Sequence, residues 1–452
     1  MFYGREKELK IINDFSKKSN QALMIYGKRK VGKTTLLKEA LKNTKYVYYE
    51  CIKSTLKDNI DNFVNILFEN KIINYKLNFE SLQDLFIFLN SLNIHLNLII
   101  DEYPYLKYFE KSEKIDSIFQ NIIDNYLTNI TLYISGSHIG MMKNMLEEKN
   151  ALYGRFNSII KLSELNYIEI SSFYPNKDSY DKIGIYSIFS GSPYVNNFIN
   201  ENLSLKENIK NTILNPNSSI YNYAENLLIS DLATSVNAER ILFAIANGKK
   251  KYNEIENKLG LSNNGLLSKQ LKILLDMELI KKVYPINQKD DKKKVYYEIN
   301  DNILRFYYTY LYKNKSQLEL LGSETFYNNY IENSINTFIS HRFEEICRTY
   351  FSINAHKGLI KNIYDIGTYY FDDPINKKNG EFDVALKFEN YYQIYECKYY
   401  KEDISRSEML KEEKQIKSIK GLNINKIGFI NASKQMDRLD NFDYINGDDL
   451  YK

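Results

Sequence analysis

Gly27-Lys28-Arg29-Lys30-Val31-Gly32-Lys33-Thr34 reads G-x-x-x-x-G-K-T and follows the apolar run Ala22-Leu23-Met24-Ile25-Tyr26. With Thr35-Leu36-Leu37-Lys38-Glu39-Ala40-Leu41 behind it, the order predicts strand, tight loop and helix, the setting in which this pattern binds phosphate. Gly27 and Gly32 let the backbone turn where a side chain would clash, so that amide hydrogens converge. The helix start adds partial positive charge. In that geometry Lys33 reaches the β- and γ-phosphates and the Thr34 hydroxyl ligates Mg²⁺. Lys28 and Thr35 complete the expected nucleotide contacts, with ATP as the ligand.

A second stretch supports the first. Leu96-Asn97-Leu98-Ile99-Ile100 is apolar and runs into Asp101-Glu102, a strand ending in two acids. This resembles the acidic strand of P-loop NTPases. The resemblance implies that Asp101 holds Mg²⁺ and that Glu102 polarises the attacking water.

The rest of the N-terminal third continues the alternation. Gly4-Arg5-Glu6 precedes an amphipathic helix with Leu9, Ile12 and Phe15 on one side. Similar boxes stand before the first strand of AAA+ and STAND-type ATPases, where they lie against the nucleotide. Residues 46–51 read as a strand, 56–92 as helices and 130–134 as a further strand. That strand ends in Ser135-Gly136-Ser137, where Ser135 or Ser137 is a candidate sensor of the γ-phosphate. Arg155, just before the apolar stretch Ile159-Ile160-Lys161-Leu162, is a candidate arginine finger or nucleotide sensor; local ion pairing is the alternative. Strands alternating with helices imply a parallel sheet covered on both faces.

Composition bounds the remainder. A chain of 452 residues holds about two to four domains. The net charge of +4 permits nucleic-acid binding without arguing for it. Cys51, Cys347 and Cys397 are scattered, and with 4 His a structural zinc site is not expected. The N-terminus lacks the apolar core of a signal peptide, and no apolar run is long enough to span a membrane. A soluble, cytoplasmic protein is expected.

Residues 170–230 look helical and include the turn Gly191-Ser192-Pro193-Tyr194. Near Ala238 a unit of three short helices begins, with Ser262 as the expected N-cap of the third. Two strands follow, at 279–284 and 294–299, joined by the lysine-rich tip 287–293. Three helices and a hairpin make the winged-helix pattern. Its third helix would present Ser268, Lys269 and Lys272 outwards to duplex DNA, while the alternative is packing against protein.

The last segment carries a second constellation. In Glu381-Phe382-Asp383-Val384-Ala385-Leu386-Lys387-Phe388, apolar and polar residues alternate as in a half-buried strand. Its partner is Tyr391-Tyr392-Gln393-Ile394-Tyr395-Glu396-Cys397-Lys398. If Glu389-Asn390 is the turn, 388 opposes 391 and 383 opposes 396. Asp383 and Glu396 then face each other, with Lys398 on the same side as Glu396. Facing carboxylates repel unless a proton or cation lies between them, and a divalent metal is a natural occupant. The Asp…Glu-x-Lys spacing resembles the PD-(D/E)XK nuclease fold. That resemblance adds Glu344, on the preceding helix, to the metal ligands and gives Lys398 a role in orienting water. Gln415 is an accessory polar candidate.

The ordered set of motifs resembles the archaeal-type ATPases over nearly the whole chain. It comprises Gly4-Arg5-Glu6, Gly27–Thr34, Asp101-Glu102, Ser135-Gly136-Ser137, Gly154-Arg155, Gly191–Tyr194, Tyr297–Phe306, Glu381-Phe382-Asp383 and Glu396-Cys397-Lys398. The resemblance implies an α/β protein: a P-loop parallel sheet with a helical lid, a winged helix, and a C-terminal PD-(D/E)XK-like α/β domain. The expected boundaries are 1–165 for the core, 166–232 for the lid, 233–300 for the winged helix, 301–335 for a helical linker and 336–452 for the last domain. The expected activity is Mg²⁺-dependent ATP hydrolysis acting as a switch, with ATP-controlled DNA cleavage or non-cleaving DNA or protein binding as the output. A protein partner or self-association is also expected.

Overall fold

The computed structural model describes residues 2–232, 237–248, 250–261, 265–373, 378–419 and 421–452. The chain divides into two compact units, Met1–Leu165 with Ser192–Tyr194, and Asn166–Gly191 with Val195–Lys452. The expected N-cap Ser262 lies outside the described residues.

The first unit is built on β1 (Gln21–Tyr26), β2 (Tyr46–Glu50), β3 (Leu96–Asp101), β4 (Ile130–Gly136) and β5 (Ser158–Lys161). They form one sheet in the order β2-β3-β4-β1-β5, and every pairing is parallel. β1, β3 and β4 are continuous apolar runs because both sheet faces are covered. Leu23, Ile25, Ile99 and Tyr133 join Ile12, Leu36 and Leu37 in one core. Their neighbours Met24, Leu98, Ile100, Leu132 and Ile134 join Phe63, Leu85 and Phe119 in the other. Parallel pairing puts the carboxyl ends of all strands on one edge, and β4 separates the strand before the phosphate loop from the strand that ends in acids.

In the second unit the helices Ala238–Ile245, Tyr252–Leu259 and Leu266–Asp276 accompany a three-stranded sheet in the order β6-β8-β7. These strands are β6 (Lys250–Lys251), β7 (Ile280–Val283) and β8 (Tyr296–Ile299). Leu267, Leu271 and Leu274 bury one side of the third helix, leaving Ser268, Lys269 and Lys272 exposed. The lysine-rich tip is not a free wing. The Ile286 amide donates to the Thr368 carbonyl (2.8 Å), Asn287 exchanges two bonds with the Tyr370 backbone, Lys289 pairs with Asp365, and Lys294 sits 3.5 Å above the Tyr370 ring. Ile286 is buried in the C-terminal core. The tip is a strap along a sheet edge.

That edge is β9 (Asp365–Asp373) of a mixed sheet with β10 (Lys378–Lys387), β11 (Tyr392–Lys398), β12 (Ile424–Asn431) and β13 (Asp443–Asn446). The order is β13-β12-β11-β10-β9, antiparallel across β9-β10-β11 and parallel beyond. The helix Arg406–Lys417 buries Met409 and Ile416 against Phe382, Ile394 and Phe429 on one face. The helix Ile335–His356 covers the other, with Phe351 against Tyr395 and Phe343 near Tyr399. The helices expected as a lid are held within this unit: Tyr180 stacks on Tyr399 at 4.2 Å, and Tyr167 donates to the Leu450 carbonyl at 2.8 Å.

Candidate nucleotide site and C-terminal carboxylate pair

The phosphate loop leaves β1 and enters the helix Lys33–Leu41 through Gly32, whose φ of 94° is open to glycine alone at little cost. Gly27 is required for a different reason. A Cβ there would lie 2.1 Å from the Leu162 carbonyl oxygen, so any side chain forces the loop off β5. Displacement near 1 Å at such a site costs roughly a hundredfold in rate. Gly27→Ala is therefore expected to lower kcat/KM for ATP by about that factor, measured as phosphate release.

Lys33 is buried, with Nζ 3.0 Å from the carbonyls of both Gly27 and Lys28, which places the ammonium at the mouth of the loop. Thr34 Oγ1 donates to Asp101 Oδ2 at 2.5 Å, and Tyr48 donates to the same oxygen at 3.0 Å. Burial and the neighbouring Asp101 charge push the Tyr48 phenol far up, so it remains a donor. Glu102 adopts a left-handed backbone with φ 50°, and its carboxylate accepts from Ser137 Oγ at 2.8 Å and from the Ser137 amide at 3.3 Å. Strained backbone of this kind persists where the surroundings hold it. A hydroxyl and a carboxylate in contact below a buried ammonium fit a nucleotide with its magnesium.

Two groups outside the motif grip the loop. Arg5 is buried, and its guanidinium donates to the Ser163 carbonyl (2.5 Å) and the Val31 carbonyl (3.4 Å). Ser192 Oγ donates to the Lys30 carbonyl at 3.1 Å, and Lys30 Nζ lies 4.2 Å above the Tyr194 ring. The turn at 192–194 belongs to the first unit, whereas the residues on either side of it belong to the second.

Two expectations change. Arg155 precedes β5, whose first residue pairs with Leu23 near the start of β1. It therefore lies at the amino edge of the sheet, roughly 10–15 Å of strand from the loop at about 3.3 Å per residue. Its guanidinium pairs with Asp124 at 3.1 Å, so it serves neither as finger nor as sensor for its own chain. Ser135 is fully buried in β4, and its hydroxyl has no partner among the described residues, whereas Ser137 meets Glu102.

At the C-terminal site the pairing Val384↔Tyr395 through Lys387↔Tyr392 sets 383 against 396, the predicted register. Asp383 lies at a bulge in β10, where Oδ2 accepts from the Cys397 amide at 2.9 Å and its own carbonyl accepts from Arg348 at 2.6 Å. Lys398 lies 4.0 Å from Glu396, 3.7 Å from Glu408 and 3.5 Å from Glu412. Burial, then the neighbouring Glu344 charge, raise the Asp383 carboxyl to about 7. Burial and Asp383 push Glu396 well up. Burial would lower the Lys398 ammonium, but the carboxylates around it outweigh that and raise it.

Glu344 does not complete a metal trio. It sits on the helix Ile335–His356, 3.8 Å from Arg348 and 3.3 Å from His341, on the face of the sheet opposite Lys398's partners Glu408 and Glu412. Among the described residues no three Asp, Glu, His or Cys side chains are grouped to hold a metal ion. Burial and the facing charge favour the protonated form of the Asp383–Glu396 pair. A carboxyl raised from 3.8 to about 7 binds its proton more tightly in the folded state. Its stabilising contribution is full below the unfolded value and is lost as pH rises toward 7 and above. Unfolding midpoints are expected to fall as pH rises from 3.8 to about 7, and Asp383→Asn to flatten that slope.

Sequence reasoning named Gln415 as an accessory group, but Glu408 and Glu412 of the same helix reach Lys398. Their i,i+4 spacing was the available signal. Arg5, Tyr48 and Ser192 had none beyond their motifs, because strand order and chain return bring them to the loop.

Residues 2–195 match the family described as an ATPase domain predominantly from Archaea. Residues 307–417 match a family of archaeal and bacterial proteins of unknown function. An uncharacterized protein of Methanocaldococcus jannaschii is 29% identical over 378 residues, covering 82% of each chain. Among solved structures, a Walker-type ATPase of Pyrococcus abyssi superposes with TM-score 0.52 at 17% identity, covering 68% of this chain and 96% of that one. The ORC2 protein of Aeropyrum pernix superposes with TM-score 0.51 at 12% identity, covering 70% and 95%. These two likenesses concern the fold. The chain thus matches the archaeal ATPase-domain family over its phosphate loop and parallel sheet, and the second family over its C-terminal helix and hairpin.

Proposed function

We propose that this protein is a Mg²⁺-dependent ATPase working as a nucleotide switch, with the second unit as its output. The observation that carries the reading is the joint placement of Thr34 on Asp101, Ser137 on Glu102 and Ser192 on the loop backbone. Mg²⁺ bound with ATP supplies charge neutralisation between the phosphates. Lys33 would hold the phosphate oxygens, Thr34 and Asp101 would hold the metal, and Glu102 would orient the attacking water. The loop's grip on residues 192–194 gives the change a covalent route, since the chain passes from there into the second unit on both sides. The Aeropyrum pernix ORC2 structure holds ADPNP and ADP, which agrees with nucleotide as the ligand.

For the output, a winged helix formed by the unit at 238–299 presents Lys269 and Lys272 to duplex DNA without cleaving it. The strapped hairpin tip leaves the third helix as the contact surface. Duplex binding is expected to weaken linearly with log salt, and Lys269→Ala with Lys272→Ala to reduce the salt slope by about 2. Binding indifferent to both changes removes this output. A second reading, ATP-regulated DNA cleavage by a PD-(D/E)XK-like domain, is favoured by the opposition of Asp383 and Glu396 beside Lys398. It predicts cleavage lost on Lys398→Ala while ATP hydrolysis is unchanged.

A further inference from the structure

Asp101 ends β3, and in the parallel register Glu50 stands beside it while Tyr48 stands beside Ile99. Side chains two positions apart on a strand share a face, so Tyr48, Glu50, Ile99 and Asp101 lie on one side of the sheet. That side carries the helix Lys33–Leu41. Ile99 packs with Leu36 and Leu37, the Tyr48 ring rests against the same core, and Lys38 Nζ lies 3.8 Å above the ring. Held by the core and the helix together, the ring aims its hydroxyl at the end of β3, where it meets Asp101 Oδ2 at 3.0 Å.

Three donors among the described residues fix this one carboxylate. The Glu102 amide donates to Oδ1 at 3.0 Å, while Thr34 and Tyr48 donate to Oδ2. The first is the chain's own backbone and the second belongs to the phosphate-loop motif, so Tyr48 is the support that comes from outside it. A phenol suits the position. It is a neutral donor, which orients the carboxylate without setting a second cation beside a metal. The hydroxyl has one proton and a second acceptor within reach, Glu50 Oε2 at 3.1 Å. Asp101 is 3% exposed, whereas Glu50 is exposed and can take hydrogen bonds from water, so losing the proton costs more at Asp101.

We infer that Tyr48 is a positioning residue for the nucleotide's metal: its hydroxyl holds the Asp101 carboxylate in the orientation that faces Thr34, and so sets the metal affinity of the site. The inference rests on the Mg²⁺–ATP reading of the phosphate loop. Groups that orient a metal's ligands are worth about 10- to 100-fold in metal affinity. Phenylalanine at this position keeps the ring on the core and beneath Lys38, and removes the hydroxyl alone.

The test is calorimetry of the full chain with ADPNP, run in EDTA and then over a series of free Mg²⁺ concentrations. In wild type the affinity should rise with Mg²⁺ and then level off. Tyr48→Phe is expected to move the midpoint of that rise to at least about tenfold higher Mg²⁺, with the affinity in EDTA kept within about twofold. The shift should persist in a Glu50→Ala background. An equal loss of affinity in EDTA would overturn the inference, since a hydroxyl that merely supports the fold has no reason to spare metal-free binding. A shift that vanishes in the Glu50→Ala background would also overturn it, because the hydroxyl would then act through Glu50. A Mg²⁺-dependent wild type with an unmoved Tyr48→Phe midpoint would sink this inference alone. Wild-type affinity indifferent to Mg²⁺ would sink it together with the reading on which it rests.

Discussion

Lys33→Ala is expected to lower ATP turnover by at least about a hundredfold, the loss typical of removing one preorganised charge from a transition-state site. The ammonium is already at the loop, 3.0 Å from two of its carbonyls, and buried, so little reorganisation precedes its transfer to phosphate. Alanine cannot replace that charge, and the helix dipole behind it supplies only partial compensation. Glu102→Gln separates binding from hydrolysis. The amide keeps an oxygen that accepts from Ser137, so the backbone strain at Glu102 remains held, but it does not activate water. Nucleotide affinity should stay within about threefold while turnover falls by at least about a hundredfold. Phosphate release and fluorescent-nucleotide binding on the same preparations check both statements.

Glu298→Ala is expected to destabilise the second unit by about 3–5 kcal/mol, the cost of stranding a buried charge. Arg305 and Arg342 are each 5% exposed, and Glu298 is the carboxylate between them. Its own carboxyl is held well below the usual range: burial opposes ionisation, but Arg305, Arg342 and Lys281 outweigh it. Glu345, lowered to about 2 by Lys281 and Arg342 against the opposing effect of burial, can neutralise one guanidinium only. The network joins β8 to the helices that follow it, so its loss should appear as an early unfolding transition of the second unit. The first unit's transition should not move. A chain of two compact units need not unfold in one step, and the two midpoints are read separately by chemical denaturation with ATP analogue present and absent.

Much of the first unit was legible because its physics is local. A glycine-bounded loop between an apolar run and a helix has few alternatives, and an apolar strand ending in Asp101-Glu102 completes it. What stayed hidden was lateral. Nothing in residues 130–136 says that this strand lies between the other two, and that order is what brings Ser137 to Glu102. Arg155 misled for the same reason: its position in sequence is near an expected finger, but parallel topology sends it to the wrong edge.

In the second unit, antiparallel arithmetic fixed the opposition of Asp383 and Glu396, since a tight turn leaves one register. Glu344 could not be placed that way. Its helix covers the face bearing Tyr395 and Cys397, and no periodicity in one helix states which face of a distant sheet it covers. The hairpin tip read as solvated because its lysines dominate the composition. Ile286 and Asn287, the residues that tie it to β9, are unremarkable until the edge strand is known.

The assignment of ATP hydrolysis to the phosphate loop, apart from the C-terminal site, is tested most directly by Mg²⁺-dependent ATP turnover of wild type, Lys33→Ala and Lys398→Ala measured side by side. Wild type and Lys398→Ala should turn over ATP within about twofold of each other, and Lys33→Ala at least about a hundredfold more slowly. Turnover that survives Lys33→Ala would contradict the assignment.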